Sequence, residues 1–522
     1  MGLARTYAVA LAGVVGHLVE VEAHLSSGLP TTILVGLPDT AVREARDRVR
    51  AALLNSKLNW PGRRITVGLS PASLPKHGSG FDMAIAIAIL SAWGESPDSR
   101  EEAPKMPVPP GMTFLAELGL DGRMRPVPGV LPAVVAAAEA GKDTVVVAPQ
   151  NREEAVLVPG MRVVAADCLL DVALWLRGGQ VPEARPAAVV PDAGAAQPAP
   201  RHRKDLSEVL GQYDARRAVE VCAAGGHNLS LIGPPGAGKT MLAERLPTIL
   251  PRLEPSAALE VTSIHSVAGI LPPGAGLITE PPFCAPHHTA SMPAIVGGGS
   301  NGTIRPGAAS LAHRGVLFLD EAPEFHRDVL DALRQPLEAG EVILARQASI
   351  TRFPARFVLV LAANPCPCAK ADAGGEGCEC SPATRRRYLG RISGPLLDRV
   401  DVKVRLERVS RTDMLHDAAA ADSSATIARR VAQARDRAAS RLRETPWRVN
   451  AEIPGSELRK SFALPVTALA ELDYSMEIGQ VSARGADKII RVAWTLADLA
   501  GKPRPARDEV GEALALWTGV RR

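Results

Sequence analysis

Eight consecutive residues constrain this chain more than anything else in it: Gly233-Pro234-Pro235-Gly236-Ala237-Gly238-Lys239-Thr240. They match the pattern G-x-x-x-x-G-K-[ST] and follow a short apolar run, Leu229-Ser230-Leu231-Ile232. Glycines at this spacing let backbone N–H groups converge on phosphate oxygens, and a helix starting at Lys239 adds favourable partial charge. Such a loop works between a buried strand and a helix, so the pattern predicts a strand–loop–helix unit. Two further apolar runs, Val316-Leu317-Phe318-Leu319 and Phe357-Val358-Leu359-Val360-Leu361, alternate with helical patterns. Together they predict a parallel α/β sheet covered on both faces.

The residues at the ends of these runs specify the chemistry. Lys239 is placed to pair with the β- and γ-phosphates of ATP, and the Thr240 hydroxyl to bind Mg²⁺. Asp320 and Glu321 close the second run. There Asp320 reaches the metal through water, and Glu321 polarises the attacking water. Asn364 ends the third run, in Leu361-Ala362-Ala363-Asn364-Pro365, where a polar side chain can hold that water or sense the γ-phosphate. This is the sensor 1 pattern of AAA+ ATPases. Two arginines fit the same superfamily pattern. Gly394-Pro395-Leu396-Leu397-Asp398-Arg399-Val400-Asp401 resembles the segment that presents an arginine finger to a neighbouring subunit, with Arg391 the other candidate in that segment. Arg484, in Val481-Ser482-Ala483-Arg484, resembles the sensor 2 arginine.

At 522 residues the chain exceeds one ordinary core, and two to four domains are expected. A proline-rich segment over 181–204, ending in Arg201-His202-Arg203-Lys204, reads as a linker between an N-terminal domain (1–180) and the ATPase core (205–408). From about Arg411 the pattern is helical only, so 409–522 is expected to form a helical lid. In the N-terminal part, 18–25, 31–37, 64–69 and 145–148 read as strands. Residues 39–56 read as a helix with Val42, Ala45, Val49 and Leu53 on one face, and 81–93 as a buried helix. The net charge of +4 argues against a general nucleic-acid coat. No apolar run approaches the ~20 residues that span a bilayer, and the N-terminus has no signal-peptide pattern, so a cytoplasmic protein is expected.

Seven cysteines in such a setting are thiols or metal ligands. Cys366-Pro367-Cys368 and Cys378-Glu379-Cys380 form two close pairs whose four thiolates suit a tetrahedral Zn²⁺ site. Cys168, Cys222 and Cys284 read as small apolar residues.

Further motifs extend across the chain: Leu34-Val35-Gly36-Leu37-Pro38-Asp39, Phe283-Cys284-Ala285-Pro286-His287-His288-Thr289-Ala290-Ser291, Ser310-Leu311-Ala312-His313-Arg314-Gly315 and Asn364-Pro365-Cys366-Pro367-Cys368. With them the chain resembles, over nearly its full length, the magnesium-chelatase-like AAA+ family known as YifB or ComM. The resemblance implies a hexameric ring, and its competence-associated members act as DNA branch-migration helicases. It also implies an insertion in the second core helix, roughly 262–296, and a β-hairpin over 341–356 carrying Arg346, Arg352 and Arg356. Such loops line the central pore of related motors. His287-His288 then belong to loop packing or the pore, since adjacent side chains rarely chelate one ion.

The N-terminal domain resembles the protease domain of Lon (S5-type, α+β) through Pro75-Lys76-His77-Gly78-Ser79-Gly80 and the segment Leu118 to Gly129. A Ser–Lys protease needs nucleophile and base together. Aligning on Pro75-Lys76 puts the serine position at Gly80, and aligning on Gly129 puts the lysine position at Ala133. Ser79 is one residue off, so a non-proteolytic ring-forming or DNA-contacting module is expected. The expected whole is an α/β protein in three parts: Lon-protease-like domain, AAA+ P-loop core and C-terminal helical lid. Its partners would be single-stranded or branched DNA and further copies of itself. Aromatic residues make up only 3%, which argues for contact through phosphates rather than stacked bases. The other reading is a chelatase motor subunit that drives metal insertion into a tetrapyrrole through a partner protein.

Overall fold

The computed structural model describes residues 2–95, 104–183, 204–272, 274–299, 304–346, 349–370, 378–417 and 421–519. The linker predicted over 181–204 falls almost wholly outside them.

The chain opens with a long antiparallel hairpin, β1 (Gly2–Ala12) and β2 (Val15–Ser26). β3 (Thr31–Val35), α1 (Thr40–Asn55) and β4 (Arg64–Ser70) complete a four-stranded mixed sheet of order β1-β2-β4-β3. α1 is capped by Asp39, whose carboxylate accepts the Val42 N–H at 2.8 Å, and it buries the predicted face of Val42, Ala45, Val49 and Leu53. α2 (Asp82–Gly94) is apolar on every side and wholly buried, because it is packed against β1, β2 and β5 (Met112–Leu115) at once. Its one charge, Asp82, is answered by the Arg48 guanidinium at 2.8 and 2.9 Å. A small hairpin, β6 (Glu117–Leu118) and β7 (Met124–Arg125), leads into α3 (Val130–Glu139) and β8 (Thr144–Val147). α4 (Arg152–Ala155), β9 (Arg162–Ala165) and α5 (Leu169–Leu176) follow, and β5, β8 and β9 make a parallel three-stranded sheet.

The core begins with α6 (Tyr213–Gly225), β10 (Leu229–Ile232), α7 (Lys239–Ile249) and α8 (Pro255–Ala268). β11 (Phe283–Cys284) comes next, then α9 (Met292–Val296), β12 (Gly297–Gly298), β13 (Arg305–Pro306) and α10 (Ala308–Leu311). β14 (Val316–Leu319) precedes α11 (Arg327–Ala332), α12 (Arg334–Ala339) and the antiparallel pair β15 (Glu341–Arg346) and β16 (Ser349–Pro354). β17 (Val358–Ala363), α13 (Pro382–Leu389), α14 (Gly394–Leu397) and β18 (Val402–Arg405) end the core. The five strands of its sheet are parallel, in the order β11-β14-β17-β10-β18.

Both faces of that sheet are covered, as the apolar runs predicted. Val316, Phe318, Val358, Val360 and Ala362 point to one face, Leu317, Leu319, Leu359 and Leu361 to the other, the period-2 alternation of a strand. The first face packs against α6 and α7 and, through them, against the C-terminal helices α16 (Ser424–Arg441), α17 (Gly455–Leu458), α18 (Val466–Glu477), α19 (Ala483–Ala500) and α20 (Arg507–Thr518), while α15 (Arg411–Asp417) is tied to α6 by the Arg216–Asp417 ion pair at 2.6 Å.

The insertion expected over 262–296 needs correction. That range holds the end of α8, a connecting loop and the edge strand β11 of the main sheet. The interruption falls later, where the paired β12 and β13 separate the short helices α9 and α10. The hairpin expected over 341–356 is present as β15–β16.

The N-terminal part sits directly on the core. α3 packs on α8, the Gly129 N–H donates to the Ser266 carbonyl at 3.1 Å, and the Ser266 hydroxyl donates to the Glu154 carboxylate. The β1–β2 turn meets β16: at Gly13, with φ +69°, a Cβ would lie 2.4 Å from the Arg352 carbonyl oxygen. Only glycine allows that approach. Among the described residues no helix is long and apolar enough to cross a membrane.

Candidate nucleotide site

Parallel strands deliver their following loops to one edge of a sheet, and here three of them meet. Register places Ile232 opposite Ala363 and Leu319 opposite Leu361. The loops after β10, β14 and β17 are therefore neighbours, and the Gly233 N–H donates to the Ala363 carbonyl at 3.1 Å. Within the first loop Gly236 and Gly238 have φ of +78° and +92°, the left-handed backbone that turns successive N–H groups inward.

The predicted side chains converge. Lys239 Nζ donates to the carbonyls of Gly233 and Pro234 at 2.5 and 3.0 Å and to Asn364 Oδ1 at 2.9 Å, so the loop lysine and the strand-end asparagine touch. Burial pulls the Lys239 pKa down, and the charges of Asp320 and Glu321 oppose that shift. The Thr240 hydroxyl donates to Asp320 Oδ2 at 2.9 Å, a hydroxyl–carboxylate pair of the type that shares a hydrated Mg²⁺. Glu321 takes a left-handed backbone, φ +52°, with its N–H on Asp320 Oδ1 at 2.9 Å. A non-glycine residue held there is strained by roughly 1–2 kcal/mol.

Two residues at this edge escaped the sequence reading. His288 Nδ1 lies 3.5 Å from Glu321 Oε2, so the loop after β11 reaches the Glu321 carboxylate. Its place in Phe283 to Ser291 suggested loop packing or the pore, because β11 is two residues long and gave no strand signal. Gln212 is buried and donates to the carbonyls of Ala237 and Glu407 at 3.1 and 2.8 Å, tying the phosphate loop to the end of β18. A lone glutamine before α6 offered no pattern to find it by.

The arginines have partners of their own. Arg399 is ion-paired with Glu338, and burial together with the charges of Arg484 and Arg334 lowers its pKa. Its turn is held by α19: Lys488 Nζ donates to the Asp398 and Val400 carbonyls, the latter at 3.0 Å, and lies 3.5 Å from Asp401. Arg484 is one turn from Lys488 on the same helix face, so α19 carries one arginine and fixes the other. Arg391 instead bonds Glu324 at 2.9 Å and the Pro323 carbonyl at 3.3 Å.

The four cysteines do come together. The sulfurs of Cys366, Cys368, Cys378 and Cys380 all lie within 4.8 Å of one another. In the N-terminal domain no Ser–Lys pair forms at the aligned positions, which Gly80 and Ala133 occupy. The Ser79 hydroxyl donates to Glu117, and the buried Lys76 donates to the Pro71 carbonyl.

Comparison with known proteins follows the same divisions. Family models described as magnesium chelatase, subunit ChlI, match residues 205–414; subunit ChlI of Mg-chelatase, 21–151; and the ChlI C-terminal region, 421–516. An uncharacterized protein of Mycobacterium tuberculosis is 51% identical over the full length of both chains. The competence protein ComM of Haemophilus influenzae is 40% identical, covering 100% of this chain and 98% of its own. The magnesium-chelatase 38 kDa subunit of Rhodobacter capsulatus is 25% identical over 40% of this chain and 60% of its own.

Proposed function

The chain belongs to the magnesium-chelatase-like family of AAA+ ATPases that includes ComM and YifB, and from that premise we propose an ATP-driven ring motor that acts on DNA. In this reading Lys239 and the loop N–H groups hold the phosphates of ATP, Thr240 and Asp320 hold Mg²⁺, and Glu321 takes up the proton of the attacking water. Asn364, already bonded to Lys239, orients that water against the γ-phosphate.

The observation that carries the proposal is how the site is divided. Lys239, Thr240, Asp320, Glu321 and Asn364 converge at one sheet edge, whereas Arg399 and Arg484 are presented together by the α19 face. Two neighbouring guanidiniums repel each other and are stabilised by an anion between them. The γ-phosphate bound to a neighbouring subunit is such an anion, which makes hydrolysis a property of a closed head-to-tail ring, a hexamer by resemblance.

DNA as the track is supported by full-length likeness to a competence protein and by the β15–β16 hairpin, whose Arg352 side chain is 58% exposed. The N-terminal domain, Lon-like in sequence but without the dyad, then serves assembly or DNA contact rather than proteolysis. The chelatase-subunit reading has weaker support, since that likeness covers 40% of the chain.

The test is ATP turnover by the full chain with single-stranded, duplex and branched DNA across a salt series. Stimulation should appear, be greatest on single-stranded or branched DNA, fall steeply with salt and weaken in Arg352→Ala. Turnover indifferent to every DNA, but raised by a tetrapyrrole-chelatase partner, would overturn the DNA reading in favour of the chelatase one.

A further inference from the structure

Four sulfurs meet at the end of β17 on the far side of Asn364. Cys366 and Cys368 are 3.0 Å apart, and each lies 3.3 Å from Cys378; Cys380 completes the group within the same 4.8 Å. These separations are too long for a disulfide, whose sulfurs lie about 2.05 Å apart. The three closest are somewhat shorter than the edge of a ZnS₄ tetrahedron, about 3.8 Å for Zn–S bonds of about 2.3 Å, so a small outward movement of the sulfurs would seat the ion. Cys366 is buried and the other three are half-buried, so a cation placed among them is shielded from water on several sides.

Second-sphere groups are present as well. The Cys380 N–H points at Cys378 Sγ at 3.3 Å, and Arg385 donates to the Cys378 carbonyl at 3.3 Å. An N–H on a sulfur and a guanidinium on the backbone of the same loop are second-sphere contacts of the kind that orient metal ligands. Cys380 also directly precedes Ser381, the N-cap of α13.

We propose that Cys366, Cys368, Cys378 and Cys380 form a structural Zn²⁺ centre that braces the sensor residue Asn364. Four thiolates leave no open coordination position, so the metal takes no part in hydrolysis. Its effect is on shape. The centre fixes Cys366, two residues beyond Asn364, to the start of α13. That helix returns Tyr388, which is buried with its hydroxyl against the Asn364 backbone. Asn364 is thus held from below by the metal loop and from the side by α13, while its Oδ1 faces Lys239. Free of metal, four crowded thiols have no comparable reason to stay together, and the loop loses its closure.

Untagged protein purified without added metal should contain about one zinc per chain. Reconstitution with Co²⁺ should give the intense thiolate-to-metal absorption of a tetrahedral S₄ site. Cys378→Ser/Cys380→Ser should lose the metal, and a thiol-directed mercurial that releases zinc from the parent avoids relying on a variant that fails to fold. In both, nucleotide affinity should persist while turnover is lost. Protein that is isolated metal-free and takes up neither Zn²⁺ nor Co²⁺ would overturn the site. One zinc per chain whose release leaves turnover unchanged would overturn the bracing role. Neither result bears on whether DNA is the track, since both are read without DNA.

Discussion

Replacing Arg399 with alanine separates stability from catalysis because the structure assigns the two very different sizes. Within the chain, Arg399 pairs with Glu338, whose side chain is 57% exposed. An ion pair open to water on one side contributes about 0–1 kcal/mol, so the melting transition should hardly move. Nucleotide affinity should also persist, because Lys239, Thr240 and Asp320 are untouched. A finger arginine is worth about 10³–10⁵ in turnover, which is roughly 4–7 kcal/mol of barrier. The expected Arg399→Ala protein is therefore folded, loaded with ATP and nearly inert. Mixing it with Lys239→Ala sharpens the test. An interface that joins the intact phosphate loop of one variant to the intact Arg399 of the other is functional. In a random equimolar ring roughly a quarter of interfaces are of that kind, which sets the ceiling on recovered activity if sites act independently. Steady-state turnover, equilibrium binding of a fluorescent nucleotide and a thermal melt measure the three quantities. Normal hydrolysis by Arg399→Ala would refute the assignment and move it to Arg391. A mixture that forms mixed rings yet stays inactive at every ratio would place Arg399 and Lys239 in the same subunit's site.

Three further outcomes follow from the geometry. Lys239→Ala should abolish ATP binding, whereas Glu321→Gln should bind ATP normally and hydrolyse it at least about 10²-fold more slowly, read by binding and single-turnover assays on each variant. Purified protein should cleave neither casein nor peptides with ATP present, and Ser79→Ala should change no activity, because its hydroxyl is committed to Glu117. Asp498→Asn should lower stability by roughly 3 kcal/mol in a denaturant titration, since the buried carboxylate accepts from Arg441 at 2.6 and 2.7 Å and from Asn450 at 2.8 Å, and its loss leaves that guanidinium poorly paired.

What was legible in advance was whatever rests on local pattern. The strand–loop–helix at 229–249, the two apolar strands beside it, and α1 with its apolar face all stand where periodicity and glycine spacing predicted them. So does α2, because a helix apolar on every side has no choice but burial. Asn364 was found because it ends a continuous apolar run. The elements that escaped are those whose identity comes from partners. β11 is two residues long and is a strand only because β14 lies beside it. Val402-Lys403-Val404-Arg405 in β18 is too short and too charged to stand out among the surrounding arginines. The same cause displaced the expected insertion, for without β11 as a marker the interruption between α9 and α10 could not be counted from the correct strand. His288 became visible only once β11 had placed its loop against Glu321.

The contact between the core and α19 bears on how such a machine could do work. Burial alone would raise the Asp401 carboxyl, but His227, Lys488 and the Asn228 N–H hold it below the usual range. Around this charged knot the apolar core runs without a break from the strands of the main sheet into α19 and α20. Pulling those helices away would part the Asp401 carboxylate from the Lys488 ammonium and expose Val492, Trp494 and Val510 to water. An opening there works against both apolar burial and charge pairing. The ATPase core and its C-terminal helices therefore share one packed interior, and Arg399 and Arg484 are carried on it. In the ring proposed above, the displacement that follows hydrolysis would then be taken up between copies, where one chain's Arg399 is proposed to meet the next chain's nucleotide loop.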